Sequence, residues 1–145
     1  MDIVFDTERL LIKNLTSEEI EKFNDRNIGI YDNNEFTIHL KSNDEKIGAI
    51  GFSYVNEKKV ELRYGIKKDF QNNGYMTETI CNFSKYLFDK NIDKIVIICK
   101  SDNISSNKVA SKSGFVLLKT FDNGKFGMCN YYELNRGYNQ NKWKN

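Results

Sequence analysis

The sequence predicts a mixed α/β fold whose sheet is mostly antiparallel and contains one parallel pair of strands. Three observations predict it. Apolar and polar residues alternate over 36–40 and 60–66, as in strands that bury one face. Apolar positions recur at helical spacing over 74–90 before the continuous apolar run 95–98, a pattern typical of a central strand joined in parallel through a crossover helix. Finally, Asp122-Asn123-Gly124 separates two apolar segments, which indicates a hairpin.

Each element has its own local signal. Thr16 or Ser17, followed by Glu19, opens a short helix, and Gly114 ends a later one. The predicted order is a strand at 10–12, the short helix, three antiparallel strands at 36–40, 46–55 and 60–66, a helix at 74–90, a strand at 95–98, a helix at 103–112, and hairpin strands at 115–121 and 128–134. Since neither a repeat nor a linker interrupts this order, we expect a single domain over residues 1–145.

Composition limits the classes of function. The chain has 145 residues, of which 39% are hydrophobic and 29% charged, as is typical of one globular domain. Its net charge is only +2 with mixed signs, which predicts no nucleic-acid partner. No apolar stretch approaches the roughly 18 residues of a membrane-spanning helix, and no leader is evident, so we expect a cytoplasmic protein without a membrane partner. Three widely spaced cysteines and one histidine predict neither disulfides nor a metal site.

The segment most informative about function is the loop from Gln71 to Thr77, between the strand 60–66 and the helix 74–90. Where a loop enters a helix, the first helical amides are unpaired, and together with the helix dipole they favour an anion such as a pyrophosphate. Gly74 allows the backbone to approach such a ligand, and Thr77 adds a hydroxyl donor. Taken alone, the loop is equally well interpreted as an ordinary polar connection. It is neither a Walker loop nor a dinucleotide-binding fingerprint.

The loop resembles the signature of the GNAT superfamily of acetyltransferases, Gln/Arg-x-x-Gly-x-Gly/Ala. Gln71 and Gly74 match it, whereas Met76 stands where the family prefers glycine or alanine. This departure means that the last turn of the loop must accommodate a larger side chain.

A second stretch strengthens the resemblance. Asn103-Ile104-Ser105-Ser106, then Val109 and the run Ser-Lys-Ser-Gly-Phe at 111–115, resemble the corresponding helix of the RimJ/RimL-like branch. Residues 7–12 and 61–66 also resemble that branch, so the likeness extends over about residues 7–134. Two motifs at the expected separation identify the chain as similar to this branch.

The resemblance implies an acetyl-CoA site. In this family two central parallel strands splay apart, helices cover both faces of the sheet, and pantetheine pairs with the backbone of the first splayed strand. The loop amides would hold the pyrophosphate, and the asparagine at the start of the next helix would reach the pantetheine arm. The cofactor-binding residues implied are Tyr64, Gly65, Ile66, Gln71, Asn72, Asn73, Gly74, Tyr75, Met76, Thr77 and Asn103.

Two residues are candidates for catalysis. An ammonium must lose its proton before its nitrogen attacks, so a nearby carboxylate is useful. Glu61 is the candidate base because it matches a strand position where relatives carry glutamate; a surface carboxylate paired with Arg63 or a lysine is the alternative. The tyrosine that many relatives use as an acid is replaced by Ala110. A thiol of pKa about 8.5 leaves without obligatory protonation. Ser106 is the substitute acid, and a hydroxyl bonded to the helix backbone is the alternative.

Other reactive side chains are given structural interpretations. Cys99 is interpreted as a buried, inert thiol rather than an acyl carrier. His39 falls on the polar face of its strand and is interpreted as a surface residue. Four aromatic residues are assigned either to an acceptor pocket or to hairpin packing: Phe126, Tyr131, Tyr132 and Tyr138.

The resemblance implies an enzyme, an N-acetyltransferase that transfers the acetyl group of acetyl-CoA by direct attack of a primary amine. The acceptor is a protein N-terminus, another peptide amine or a small-molecule amine. The region 17–35 is short for the family, which predicts an open cleft or one completed in a homodimer. One alternative, motivated by Met76 and Ala110, is a GNAT-fold module that binds acyl-CoA without catalysis; a weaker one is a nucleotide-binding α/β module.

Overall fold

The structure, a computed structural model, describes residues 3–15, 18 and 34–137. The strands and helices follow in the order β1 (Ile3–Asp6), β2 (Leu10–Asn14), β3 (Glu35–Leu40), β4 (Lys46–Asn56), β5 (Lys59–Ile66), α1 (Tyr75–Asp89), β6 (Lys94–Lys100), α2 (Ile104–Lys112), β7 (Val116–Asp122) and β8 (Met128–Asn135). Short 3₁₀ helices occupy Lys68–Phe70 and Gly124–Phe126. The predicted short helix after residues 16–17 and Tyr138 lie outside the described residues.

The strands form one mixed sheet in the order β1-β2-β3-β4-β5-β6-β8-β7. β5 and β6 pair in parallel, from Lys59 opposite Lys94 to Glu61 opposite Val96. β6 pairs antiparallel with β8, as do β1 with β2, β2 with β3, β3 with β4 and β7 with β8. The predicted mixed fold and its parallel crossover through α1 are confirmed. β1 was not predicted, because a four-residue strand is too short to show a clear alternation.

One compact unit consists of Met1–Phe52 and Arg63–Tyr75. Its core is formed by buried side chains of β2, β3 and β4: Leu10, Ile12, Phe36, Ile38, Ile47, Ile50 and Phe52. The expectation that His39 is a surface residue is wrong, since it is only 7% exposed, and its neighbour Thr37 is fully buried. β3 is therefore shielded from solvent on both faces, including the one that carries its polar side chains.

The second compact unit consists of Ser53–Leu62 and Met76–Asn145. α1 buries one face, which includes Ile80, Phe83 and Leu87, and burial of each such side chain stabilises the fold by about 1.5–3 kcal/mol. β6 is buried at 95–97, as the continuous apolar run predicts for a central strand. Among the residues that the structure describes, no helix is long and apolar enough to cross a membrane.

Candidate functional site

The start of α1 presents backbone donors to the loop. Gly74 has a φ of 79° and Asn72 a φ of 65°, so two residues of the loop adopt the left-handed conformation. Within the described part of the chain, no side chain caps the amides of Met76 and Thr77. Because the first amides of a helix have no intrahelical acceptor, backbone donors at this position favour the binding of an anion.

Arg9 holds this loop from a distant part of the sequence. Its Nη1 donates a hydrogen bond of 3.0 Å to the carbonyl oxygen of Asn73, and its guanidinium carbon lies 4.3 Å from the centre of the Tyr75 ring. A Cβ added to Gly74 would lie 3.4 Å from the Nη2 of Arg9. The guanidinium thus brings a positive charge to the loop at Asn73 and Tyr75. Sequence reasoning did not assign Arg9 to the loop, because no local pattern indicates a contact over 64 positions.

The side chains of the loop are fixed by contacts close in sequence. The side-chain Nε2 of Gln71 donates to the carbonyl oxygen of Ile66, at the end of β5, over 3.4 Å. The side chain of Asn73 donates to the carbonyl oxygen of Gln71 over 3.1 Å. The family-signature glutamine therefore connects the loop to the strand that precedes it.

At the end of β5, Gly48 of β4 lies against the carbonyl oxygen of Gly65, whereas the side-chain position of Gly65 is open. A Cβ on Gly48 would lie 2.4 Å from the carbonyl oxygen of Gly65, so only glycine allows β4 this close to β5. Among the residues that the structure describes, a Cβ on Gly65 itself would meet nothing within 4 Å. The predicted pantetheine strand therefore has open space at Gly65.

A cavity of about 270 Å³ lies within the first unit. The described residues that line it are Leu15, Glu35, Phe36, Thr37, Lys46, Ala49, Arg63, Tyr64 and Gly65. Glu35 pairs with Arg63; the Glu35 side chain is 10% exposed and the Arg63 side chain 42%. The carboxylate of Glu35 occupies the space where a Cβ of Gly51 would stand. The cavity thus combines apolar walls with an ion pair whose carboxylate is nearly buried, and it reaches the β5 residues Tyr64 and Gly65.

The candidate base Glu61 lies in a row that crosses three strands of the second unit. Val96 pairs with Glu61 on one side and with Glu133 on the other, so the three side chains share one face. Glu133 lies 3.8 Å from the Nζ of Lys94 and accepts a hydrogen bond of 3.3 Å from the hydroxyl of Tyr131. Arg63, one of the partners considered for Glu61, forms an ion pair with Glu35.

The start of α2 is organised by asparagines. Asn103 is the N-cap, and its Oδ1 accepts a hydrogen bond of 3.0 Å from the amide of Ser106. Its Nδ2 is the side-chain atom left to contact a cofactor. Asn107, which sequence reasoning did not single out, accepts hydrogen bonds of 2.7 Å from Tyr132 and Asn130. Ala110 is fully buried, and its methyl group cannot act as an acid.

The cysteines and aromatic residues do not form a second site. Cys99 is half-buried, not buried as predicted. Partial burial raises the pKa of the thiols of Cys81 and Cys99, which disfavours their reactive thiolates. Tyr131 and Tyr132 are successive residues of β8 and point to opposite faces of the sheet. An acceptor pocket shared by these two rings is therefore wrong. No group of potential metal ligands occurs among residues 3–15, 18 and 34–137.

Comparison with known proteins gives a consistent result. Residues 6–116 match the model of the acetyltransferase (GNAT) domain family. The uncharacterized N-acetyltransferase YnaD of Bacillus subtilis is 33% identical over 102 residues, which are 68% of this chain and 59% of that protein. The chain thus spans about three fifths of the length of this curated relative.

Solved structures share the fold. A GNAT-family acetyltransferase from Bacillus anthracis superposes with a TM-score of 0.75 at 22% identity, covering 93% of this chain and 98% of the other. RimL, a ribosomal L7/L12 alpha-N-protein acetyltransferase solved in complex with coenzyme A, gives a TM-score of 0.72 at 17% identity, covering 92% and 98%. The RimJ/RimL-like resemblance stated from the motifs is thus confirmed at the level of the fold.

Proposed function

Because the chain belongs to the GNAT acetyltransferase family, we propose that it is an N-acetyltransferase that uses acetyl-CoA to acetylate a primary amine. The observation that carries this proposal is the loop before α1, where Gly74 adopts a positive φ and the amides of Met76 and Thr77 are not capped by described side chains. A diphosphate supplies the acceptor oxygens that these amides lack.

Acetyl-CoA fits the charge and shape of this segment. The guanidinium of Arg9 adds a cation next to Gly74, so the loop offers both hydrogen-bond donors and positive charge to the pyrophosphate. The open backbone at Gly65, with Tyr64 and Ile66, is the proposed contact for pantetheine, and Asn103 offers its Nδ2. The related RimL is a protein known in complex with coenzyme A. The reaction as proposed uses no metal.

The acetyl group of acetyl-CoA supplies the electrophilic carbon, and the chain's own residues manage protons and position. Glu61 is proposed to accept a proton from the acceptor ammonium, after which the nitrogen lone pair attacks the thioester carbon and the C–S bond breaks. Ser106 is proposed to donate to the departing sulfur. A general base contributes about 10²–10⁴ in rate, which sets the loss expected on its removal.

The acceptor class is proposed from chemistry and from the relatives. RimL acts, by its name, on the α-amine of a ribosomal protein, which supports a peptide N-terminus; a small-molecule amine is equally compatible with a cavity of about 270 Å³. We also propose a homodimer. Val116, Leu117 and Leu118 are 47–56% exposed on β7, the last strand of the sheet, and an apolar edge of this kind favours association. Acetyl-CoA and reduced cysteines suit the cytoplasmic location that the sequence predicts.

The test is the release of free thiol from acetyl-CoA across a panel of peptide and small-molecule amines. We expect turnover with at least one amine, and a loss of about a hundredfold in kcat for Glu61→Gln. Glu57→Gln is the matched control, since Glu57 is an exposed carboxylate in the turn before β5. If this chain releases no thiol with any amine, the proposal that it is an enzyme is contradicted.

A second candidate is a GNAT-fold module that binds acyl-CoA without catalysis. It is favoured by Ala110, which replaces the family's acid with a fully buried methyl group, and by Met76, which is 5% exposed at a position of small residues. Calorimetric binding of acetyl-CoA together with an absence of thiol release, unchanged by Glu61→Gln, would select this candidate.

A further inference from the structure

Three polar side chains form a hydrogen-bonded row that ends at the cavity of the first unit. The middle one belongs to the only histidine of the sequence. The Nε2 of His39 lies 2.9 Å from the Oγ1 of Thr37, and Thr37 lines the cavity. The Nδ1 of His39 lies 3.1 Å from the backbone oxygen of Asp44 and 3.4 Å from its carboxylate. The order from solvent to cavity is thus Asp44, His39, Thr37, an arrangement of acid, imidazole and hydroxyl.

The contacts of His39 determine which ring nitrogen carries the hydrogen. Both oxygens next to Nδ1 belong to Asp44, and both are acceptors. In the neutral ring, Nδ1 must therefore carry the hydrogen, and Nε2 is the bare acceptor. The hydroxyl of Thr37 then donates to Nε2 over 2.9 Å in preference to the carbonyl oxygen of Lys13 at 3.5 Å.

This hydroxyl is placed where an acceptor amine would need it. Glu35, Thr37 and His39 alternate along β3 and share one face of the strand. Thr37 stands opposite Ala49 in the register of β3 and β4, and small side chains at Ala49 and Gly65 leave the cavity open above the sheet. Because Tyr64 and Gly65 also line the cavity, a group bound there is adjacent to the backbone proposed for pantetheine.

We propose that Thr37, His39 and Asp44 form a proton relay that deprotonates an amine acceptor bound in this cavity. The inference rests on the proposed acetyl transfer and competes with Glu61 for one step of it, because here the amine proton leaves through Thr37 and His39. Thr37 is the catalytic residue because it touches the acceptor, whereas His39 and Asp44 are positioning residues that act through it.

The step balances without an additional reagent. The acceptor ammonium gives one proton to the Oγ1 of Thr37 while the hydroxyl proton of Thr37 passes to the Nε2 of His39. The nitrogen lone pair that is freed forms the C–N bond to the acetyl carbon, and the C–S bond breaks to release the thiolate. The hydroxyl gives and receives a proton in the same movement, so its own weak basicity is not limiting.

The carboxylate of Asp44 favours the imidazolium that this transfer creates. The carboxylate of Asp44 faces Nδ1 and is itself held by the Nζ of Lys13, from β2, at 2.6 Å. Hydrogen bonding to Lys13 lowers the pKa of Asp44, so its carboxylate stays charged in the neutral range. Lys46 is the residue of β4 paired with His39, and it adds a second cation to this neighbourhood. The carboxylate of Asp44 contacts the ring and favours the imidazolium, whereas the positive charges of the two lysines oppose it.

The first test needs no enzymatic activity. Since the chain has a single histidine, the nitrogen resonances of its ring are assigned without ambiguity in ¹⁵N-labelled full-length protein. We expect a neutral ring with hydrogen on Nδ1 and bare Nε2, and a shift of the Nε2 resonance in Thr37→Val. A neutral ring with hydrogen on Nε2 would overturn the relay.

The second test measures kcat/KM for the best amine as a function of pH. Thr37→Val is expected to reduce kcat about a hundredfold with the KM for acetyl-CoA unchanged, and Thr37→Ser to restore it to within about threefold. His39→Gln is expected to remove the loss of activity at acidic pH that a histidine relay produces. Thr7→Val is the matched control, because Thr7 is a buried threonine of the same unit whose hydroxyl bonds the amide of Leu10.

The outcomes separate the relay from the proposed function. A Thr37→Val protein with the wild-type rate and pH profile would overturn the relay, and thiol release by the wild type would still support acetyl transfer. A wild type inactive with every amine would overturn both.

Discussion

Gly48 and Gly65 offer a matched pair of substitutions at the strand proposed to bind pantetheine. A Cβ on Gly48 would lie 2.4 Å from the oxygen of Gly65 and 3.1 Å from the Cα of Ile66, whereas ordinary contact begins at 3.4 Å. Gly48→Ala therefore has to displace the β5 backbone by about 1 Å, the difference between 3.4 and 2.4 Å. The methyl group of Gly65→Ala meets no described atom within 4 Å and needs no displacement of the described strands.

The two variants should separate stability from binding. Overpacking of a tight contact costs about 1–3 kcal/mol, which for a chain of this size corresponds to a decrease in Tm of about 3–10 °C in Gly48→Ala. Gly65→Ala should keep the wild-type Tm or raise it slightly, because alanine loses less entropy than glycine in a strand. Its methyl group instead enters the open space proposed for pantetheine and should weaken coenzyme A binding about tenfold.

Thermal unfolding measures the first effect, and calorimetric titration with coenzyme A measures the second. The reasoning is refuted if Gly48→Ala unfolds at the wild-type temperature, since the close approach of β4 and β5 would then not exist. It is equally refuted if Gly65→Ala binds coenzyme A as tightly as the wild type, because the open space at Gly65 would then not receive the ligand.

Three other predictions concern the surrounding structure. Asn107→Leu leaves the buried hydroxyl of Tyr132 without an acceptor and should lower the free energy of unfolding in urea by about 2–3 kcal/mol. An unchanged urea midpoint would contradict the importance of this hydrogen bond. The hydrogen bond and charge of Lys41 lower the pKa of Asp6, so this pair stabilises the fold above the unfolded pKa of Asp6, and the contribution is lost as the pH falls through the folded value. Lys41→Met should therefore reduce the difference in urea midpoint between pH 7 and pH 2, and an identical difference would contradict the pairing. Since burial raises the pKa of Cys81, its alkylation by iodoacetamide at pH 7 should be slower than that of a free cysteine peptide and increase with pH; equal rates by mass spectrometry would contradict this.

The sequence predicted those parts of the fold whose signals are local. Four adjacent segments were predicted in their correct order: β5, the loop, α1 and β6. The evidence was that the spacing of apolar residues between 60 and 98 changes from that of a strand to that of a helix. The loop before α1 was found in the same way, because a helix start and a glycine are both visible within a few residues. Residue roles at this loop still rest on resemblance and on the experiments proposed.

The rest depends on contacts that no local pattern contains. Alternation along β3 shows that one face is apolar but not whether the other is shielded, which is why His39 was placed at the surface although it is 7% exposed. Arg9 reaches Asn73 over 64 positions, and Asn107 meets Tyr132 over 25. Polar residues that organise a site through such distant partners look like ordinary surface residues in the sequence alone.

The binding of a diphosphate by the first amides of α1 can be observed directly. In ¹⁵N-labelled protein titrated with coenzyme A, the backbone amide resonances of Gly74, Met76 and Thr77 should shift with the same saturation as the calorimetric binding curve. If coenzyme A binds and these three resonances stay in place, the ligand lies elsewhere and the proposed site is wrong.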